Sequence, residues 1–149
     1  MLTEPLLGLL VAAILGAALG AERSIAGKHA GMRTYALVSL GSALFSVVGT
    51  LVSYQYAVFS GANPLQLAGF VIVGIGFIGA GLAAMRAGEN HVELTTATGI
   101  WVTAGVGMAS GFGLYQLAAA ATVLALLIFT LFLRLENRLR SRFGTNVEG

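Results

Sequence analysis

Several residue types are scarce in this 149-residue chain, and each scarcity excludes a class of protein or site. Cysteine is absent, which excludes disulfides, thiolate zinc sites and cysteine nucleophiles. Aspartate is absent too, and the six acidic residues are all glutamates, so a hard cation would find few carboxylate ligands. Charged residues make up only 9% of the chain, against about 25% in soluble domains. The chain is therefore not an ordinary soluble domain.

The chain consists mainly of long apolar runs. Hydrophobic residues make up 57% of the sequence, and 21 residues are glycine. A helix needs about 20 apolar residues to cross a bilayer. Five segments meet that requirement, at residues 2–21, 34–54, 65–85, 94–113 and 114–133. We therefore predict an all-α membrane protein, a bundle of five transmembrane helices over residues 1–133 followed by a short basic tail at 134–149.

The basic residues support this count, because cytoplasmic loops retain lysine and arginine. With five crossings, all eight basic residues fall on one side of the membrane. This predicts an N-terminus outside and a C-terminus in the cytoplasm. The first segment is expected to be a retained helix and not a cleaved signal peptide, since Glu4 stands where a signal peptide carries positive charge.

Glycines recur at helical spacing in three of the segments. Small-residue faces let membrane helices approach closely, inside one bundle or across a homodimer, and this is the favoured interpretation. The alternative is a pathway in which glycine-interrupted helices expose backbone carbonyls to an ion. The glycines assigned to packing or to a pathway are Gly8, Gly16, Gly20, Gly74, Gly76, Gly79, Gly81, Gly99, Gly107 and Gly111.

No ionisable side chain lies deep within a predicted segment, which disfavours a proton-coupled transporter. The charges gather instead at the predicted cytoplasmic border, where Glu22, Arg23 and Arg33 bracket a short loop. They are either solvated helix ends or members of a buried, ion-paired patch. His29 and His91 are a weak metal signal without a suitable carboxylate pattern beside them, so no metal site is assigned.

Enzyme chemistry has little support in the sequence. Ser110 lies among glycines in the run GMASG, but the spacing is not that of a nucleophile elbow, and no histidine lies within a segment to act as its base. We therefore predict no enzymatic activity, no catalytic residue and no cofactor. The run RLENRLRSRF at residues 134–143 predicts a basic helical extension that attracts anionic lipid headgroups or, less strongly, an acidic partner.

Four motifs follow one another along the chain. They are the Glu22 and Arg23 pair, the AGxRT run at residues 30–34, the GIGFxGAG run at 74–81, and LTTA at 94–97 leading to Trp101. Together with the sequence around them, over roughly residues 5–132, they closely resemble the MgtC/SapB family of bacterial inner-membrane proteins. The resemblance implies five membrane-spanning helices. Its functional expectation is carried onto the matching positions Glu22, Arg23, Arg33, Thr34, Thr95 and Thr96.

The better-known members that the chain resembles are linked to growth in low magnesium, to survival inside macrophages and to inhibition of the membrane ATP synthase. Despite a historical label as magnesium transporters, they are generally viewed as regulators or accessory proteins. The virulence-associated members carry a C-terminal domain of the ACT type, and this chain resembles the short, membrane-only members. Where the family usually shows DPxR, the sequence reads Asn63, Pro64, Leu65 and Gln66, so a role for that charged pair is not carried over.

Two functions are open at this point. The favoured one is an accessory or regulatory protein of the bacterial inner membrane, linked to magnesium or envelope homeostasis. It would act on a membrane partner, as a homodimer in the lipid bilayer, and without binding nucleic acid. The alternative is a transporter or channel for magnesium or another cation, lined by glycines and by the hydroxyls of Thr95, Thr96, Thr98 and Thr103. A water-filled centre would favour transport, and a dry, tightly packed centre the accessory role.

Overall fold

The computed structural model describes residues 3–55, 64–84 and 94–143, and nearly all of them are helical. The helices are α1 (Thr3–Ile25), α2 (Met32–Gln55), α3 (Pro64–Ala84), α4 (Leu94–Gly111) and α5 (Tyr115–Leu127), and α5 continues through a π-helical segment (Ile128–Phe132) into α6 (Leu133–Phe143). These residues contain no strand. The predicted all-α class with five helices is confirmed, and α6 is the predicted basic extension of the fifth.

Helices α1, α2 and α4 form the centre of the bundle, and glycines set their separation. A Cβ atom placed on Gly16 of α1 would lie 2.6 Å from the Cβ of Ser39 and 2.7 Å from the carbonyl oxygen of Tyr35 in α2. A Cβ on Gly107 of α4 would overlap the backbone of Ser39. The backbones of all three helices therefore meet at Ser39, in the close packing through small residues that holds helices together in lipid.

Glycines also allow close contact between neighbouring helices near both ends of the bundle. At one end, a Cβ on Gly20 would lie 2.6 Å from the Cα of Met32. At the other, a Cβ on Gly8 would lie 2.8 Å from the carbonyl oxygen of Ser110. Six of the ten glycines singled out in the sequence stand at such contacts, namely Gly8, Gly16, Gly20, Gly99, Gly107 and Gly111.

Helix α3 lies at the edge of the bundle, beside α2 and α4. None of its side chains described between residues 66 and 82 is fully buried. An apolar groove of about 510 Å³ separates it from α2, lined by residues that include Phe45 and Phe70. Its glycines differ from those of α1 and α4: a Cβ on Gly79 would make ordinary contact with Ala97, while Gly74, Gly76 and Gly81 have no neighbour within 4 Å. The α3 glycines thus do not pack tightly against the described part of the chain.

Two turns depend on glycine. Gly27, in the loop between α1 and α2, has a φ of 69°, and Gly113, between α4 and α5, has a φ of 78°. Glycine adopts this left-handed conformation without the steric cost that other residues incur. The second turn lies where the sequence predicted a break between two helices.

By length and composition, three helical stretches are suited to crossing a membrane, namely α1, α2 and the continuous stretch Tyr115–Leu139. The apolar stretch of α3, Gln66–Leu82, is shorter. Helix α4 carries Thr96, Thr103 and Ser110, and all three are buried within the bundle. The molecule is therefore a membrane-type all-α protein that buries several hydroxyl side chains between its helices.

Most buried hydroxyls are bonded within their own helix. Thr103 donates to the carbonyl oxygen of Gly99 at 2.8 Å, and Ser110 donates to that of Val106 at 2.9 Å. Ser46 and Thr122 bond back one turn in the same way, as serine and threonine commonly do in helices. In the described part of the chain, Ser39 Oγ is the buried side-chain oxygen without a hydrogen-bond partner.

Candidate functional site

Arg23 is a buried arginine in the last turn of α1, where only 3% of it is exposed. Its Nε donates to Oε2 of Glu22 at 2.5 Å, and the Glu22 side chain is 16% exposed. Consecutive helix residues do not normally face each other, so the glutamate side chain bends around the helix to reach its neighbour. The result is an ion pair whose acidic member borders the surface and whose basic member lies inside.

The second partner of Arg23 is an aromatic ring. The guanidinium carbon lies 3.9 Å from the centroid of the Phe129 ring, close enough for a cation–π interaction, which is worth about 2 kcal/mol when it is shielded from water. Phe129 belongs to the π-helical segment Ile128–Phe132. Such segments are rare and often occur at functional sites. This contact joins the end of α1 to the end of α5.

Electrostatics explain why an arginine is stable at this position. Burial of an unpaired charge is very costly, but Arg23 has a carboxylate on one side and the electron-rich face of an aromatic ring on the other. It also lies near the C-terminus of α1, where the helix dipole favours a cation. The surroundings of Arg23 thus compensate its charge from three directions.

A second group of contacts adds the N-terminal turns of α2 and α4. Tyr35 is fully buried, and its Oη donates a long hydrogen bond of 3.4 Å to the carbonyl oxygen of Thr96. A Cβ on Gly99 would overlap Tyr35 Oη and lie 2.9 Å from Cζ of Phe129. Gly99 therefore makes room for both rings. We call this region the arginine end, defined by Glu22, Arg23, Tyr35, Thr96 and Phe129.

The loop beside the arginine end is held by Ser24. The backbone N–H of Met32, the first residue of α2, donates to Ser24 Oγ at 3.1 Å, so a side chain from α1 satisfies one of the N–H groups left free at the start of a helix. A Cβ on Gly31 would overlap that same Oγ. The glycine therefore permits this contact, which ties the start of α2 to the end of α1.

The structure brings some of the sequence candidates together and separates others. Glu22, Arg23 and Thr96 belong to the arginine end. Arg33, Thr34 and Thr95 are exposed. Arg33 precedes the buried Tyr35 by two residues, about 200° around an α-helix, so the two side chains point in opposite directions. The buried patch thus contains Glu22 and Arg23 but not Arg33. His91 and Asn63 lie outside the described residues.

The described residues show no metal centre. Nowhere among residues 3–55, 64–84 and 94–143 do three histidine or glutamate side chains come together. Ser110, the serine of the GMASG run, donates to a carbonyl of its own helix. Within this part of the chain, the arginine end offers one ion pair, one stacked guanidinium and one buried phenol, an arrangement that fixes the ends of four helices against one another.

Comparison with known proteins identifies the family. The sequence profile described as the MgtC family matches residues 9–138. The chain belongs to the MgtC family. The matched range includes every residue of the arginine end, so this cluster lies within the part of the chain that defines its membership. No solved structure matches the chain.

Relatives in the MgtC family are similar over most of this chain. The protein of Escherichia coli K12 named "Putative magnesium transporter YhiD" is 43% identical over 147 residues, which is 95% of the chain and 66% of YhiD. SrpB of Synechococcus elongatus is 41% identical over 136 residues, covering 86% of the chain and 74% of SrpB. MgtC of Salmonella typhimurium is 40% identical over 121 residues, covering 81% of the chain and 49% of MgtC. The chain thus spans somewhat less than two thirds of YhiD and about half of MgtC.

Sequence reasoning missed two residues of the arginine end, Tyr35 and Phe129. One signal was available, because both aromatic residues stand near the predicted membrane border that also holds Arg23. An arginine at that border needs a partner if it is buried, and an aromatic face is one that proteins use. The π-helical segment that carries Phe129 had no recognisable signal in its residues.

Proposed function

We propose that this chain is a non-enzymatic accessory or regulatory protein of the bacterial inner membrane, linked to magnesium or envelope homeostasis. In this proposal the five helices cross the membrane with the arginine end at the cytoplasmic side. The arginine end fixes the helix ends beside which a membrane partner binds.

One observation carries the proposal, namely the closed centre of the bundle. At Ser39 the backbones of α1, α2 and α4 approach so closely that no Cβ fits on Gly16 or Gly107. The neighbouring hydroxyls bond to carbonyls of their own helices and do not need a passing ion to satisfy them. Two grooves that flank α3, one toward α2 and one toward α4 and α5, are lined almost wholly by apolar side chains. A dry centre of this kind supports an accessory role.

A cation transporter is the second candidate function. Its support is the name of the relative in Escherichia coli K12, "Putative magnesium transporter YhiD", and the unpartnered Oγ of Ser39 at the middle of the bundle. A path through the centre would require α1, α2 and α4 to separate around that hydroxyl. The two candidates therefore differ in whether the central helices move apart.

Magnesium flux into proteoliposomes distinguishes the two. We expect vesicles containing the purified, folded chain and an entrapped magnesium indicator to take up no more magnesium than empty vesicles, because the centre is closed. The same chain should restore growth in low magnesium to cells that lack their own copy. Protein-dependent uptake that Ser39→Ala reduces would contradict the accessory role and support transport through the centre.

We also propose a homodimer that forms through α3. The glycine faces of α1 and α4 pack within the chain, whereas Gly74, Gly76 and Gly81 have no described neighbour. Small residues on an uncovered membrane helix permit close approach of a second helix. Gly105 of α4 is also uncovered, but the glycines singled out on that helix are tightly packed. Of the three glycine-rich helices, α3 is thus the one on which none of the singled-out glycines is in tight contact with the described part of the chain.

Oxidative cross-linking in membranes tests this dimer. The chain has no native cysteine, so Gly76→Cys introduces a unique thiol. We expect it to form a covalent dimer, since a glycine contact brings Cα atoms within the roughly 7 Å limit for a disulfide. Val123→Cys on α5, at a position 56% exposed, is the matched control. Equal cross-linking of both variants would indicate random collision and reject the α3 interface.

A further inference from the structure

Helix α6 carries a row of arginines along one side. Arg134, Arg138 and Arg142 are spaced by four residues, so they lie on the same face of the helix, and all three are exposed. We call this row the arginine ridge. Glu136 is the one acidic residue of α6. The helix is thus strongly basic, and three of its four arginines share one side, while Arg140 stands two positions from its neighbours in the ridge.

Apolar side chains lie directly beside the arginine ridge. Leu135 and Leu139 are also spaced by four residues, each one position after an arginine of the ridge, and they are 51% and 47% exposed. A groove of about 470 Å³ is lined by Leu135, Arg138, Leu139, Ser141 and Arg142. A helix surface with arginines along one edge and leucines along the next has the chemistry of the boundary between lipid headgroups and acyl chains.

The position of α6 brings this surface to the membrane border. It continues the apolar stretch Tyr115–Leu139 beyond the π-helical segment, at the same end of the bundle as Arg23. It packs against little of the described chain besides that π-helical segment. The ridge and the leucines are therefore left uncovered where a lipid-spanning helix emerges from the hydrocarbon.

We propose that the arginine ridge of α6 binds the anionic headgroups of the phospholipids around the protein, while Leu135 and Leu139 contact the upper part of the acyl chains. Each basic residue near an anionic membrane surface strengthens the binding of its segment to that surface about fivefold, so three arginines together strengthen the binding of α6 on the order of a hundredfold. This inference goes beyond the proposed function and holds for an accessory protein and a transporter alike.

A spin label on the full chain tests the proposal. The chain is free of cysteine, so Ser141→Cys, at an exposed position beside the ridge, is labelled uniquely. We compare its accessibility to a water-soluble nickel chelate in nanodiscs of neutral phosphatidylcholine and in nanodiscs containing half phosphatidylglycerol. We expect at least a twofold fall in accessibility in the anionic discs, reversed by high salt. A label at Ile25, 88% exposed at the end of α1, is the control that stays unchanged.

Variants of the arginine ridge show whether the change in label accessibility depends on positive charge or on the folding of α6. The triple change of Arg134, Arg138 and Arg142 to lysine keeps the charge and should keep the effect, whereas the triple change to glutamine should abolish it. Equal accessibility in both lipids, or protection that survives the glutamine change, overturns the proposal. Protection in neutral discs on addition of inorganic phosphate would instead indicate a free-anion site. A fall in label accessibility found only in native membranes would indicate an acidic protein partner. The phosphate result and the native-membrane result would each reject anionic lipid as the ligand of the ridge.

Discussion

Replacement of Gly107 by alanine is expected to destabilise the protein by about 3 kcal/mol or more, the upper part of the range for overpacked cores. The added Cβ would overlap the carbonyl group and Cα of Ser39. These are backbone atoms, so no side chain can rotate away, and α2 and α4 must separate. The separation would also weaken the contact that Gly16 makes on the other side of Ser39. The measurement is the unfolding free energy in detergent micelles titrated with a denaturing detergent.

Gly105 provides a control on the same helix. It is two residues from Gly107 in sequence, yet a Cβ placed on it would have no neighbour within 4 Å. We expect Gly105→Ala to be neutral, or to stabilise by up to about 1 kcal/mol through its higher helix propensity. Equal loss of stability in the two variants would show that α4 tolerates alanine at neither glycine. The close contact between Gly107 and the Ser39 backbone would then not explain the loss.

Replacement of Arg23 by methionine is expected to cost about 3 kcal/mol, the usual scale for removal of one member of a buried ion pair. The change leaves Glu22 without its partner and removes the cation above the Phe129 ring. Arg23→Lys should lose less, because lysine keeps the charge but stacks less well on an aromatic ring. The same detergent titration measures both variants.

A double variant shows whether the loss comes from the uncompensated glutamate. With Glu22→Gln added to Arg23→Met, neither charge remains, so the double variant should be more stable than Arg23→Met alone. Arg33→Ala is the exposed control and should change stability by no more than about 0.5 kcal/mol. If Arg33→Ala costs as much as Arg23→Met, the special role of the buried arginine is refuted.

Part of the arginine end could be predicted from the sequence. Glu22 and Arg23 drew attention because charges are rare in this chain and these two stand at the end of an apolar segment. Thr96 was taken from the family resemblance, and the structure places its backbone carbonyl against Tyr35. Arg33 matched the family equally well but is exposed. Sequence position alone does not say which side of a helix faces the bundle when the surrounding residues are apolar in every direction.

The sequence by itself determined the class of molecule, because the hydrophobic effect depends on composition and length, which can be read directly. Apolar runs of about 20 residues, few charges and the break at residues 111–115 were enough to predict an all-α membrane protein with five helices. Only the tertiary structure decided which glycines are required and which charge is buried. Gly105 and Gly107 are identical in sequence terms, yet one faces open space and the other the backbone of Ser39. That difference arises from contacts between residues far apart in the chain, here about 70 positions, and such contacts exist only after the helices have packed.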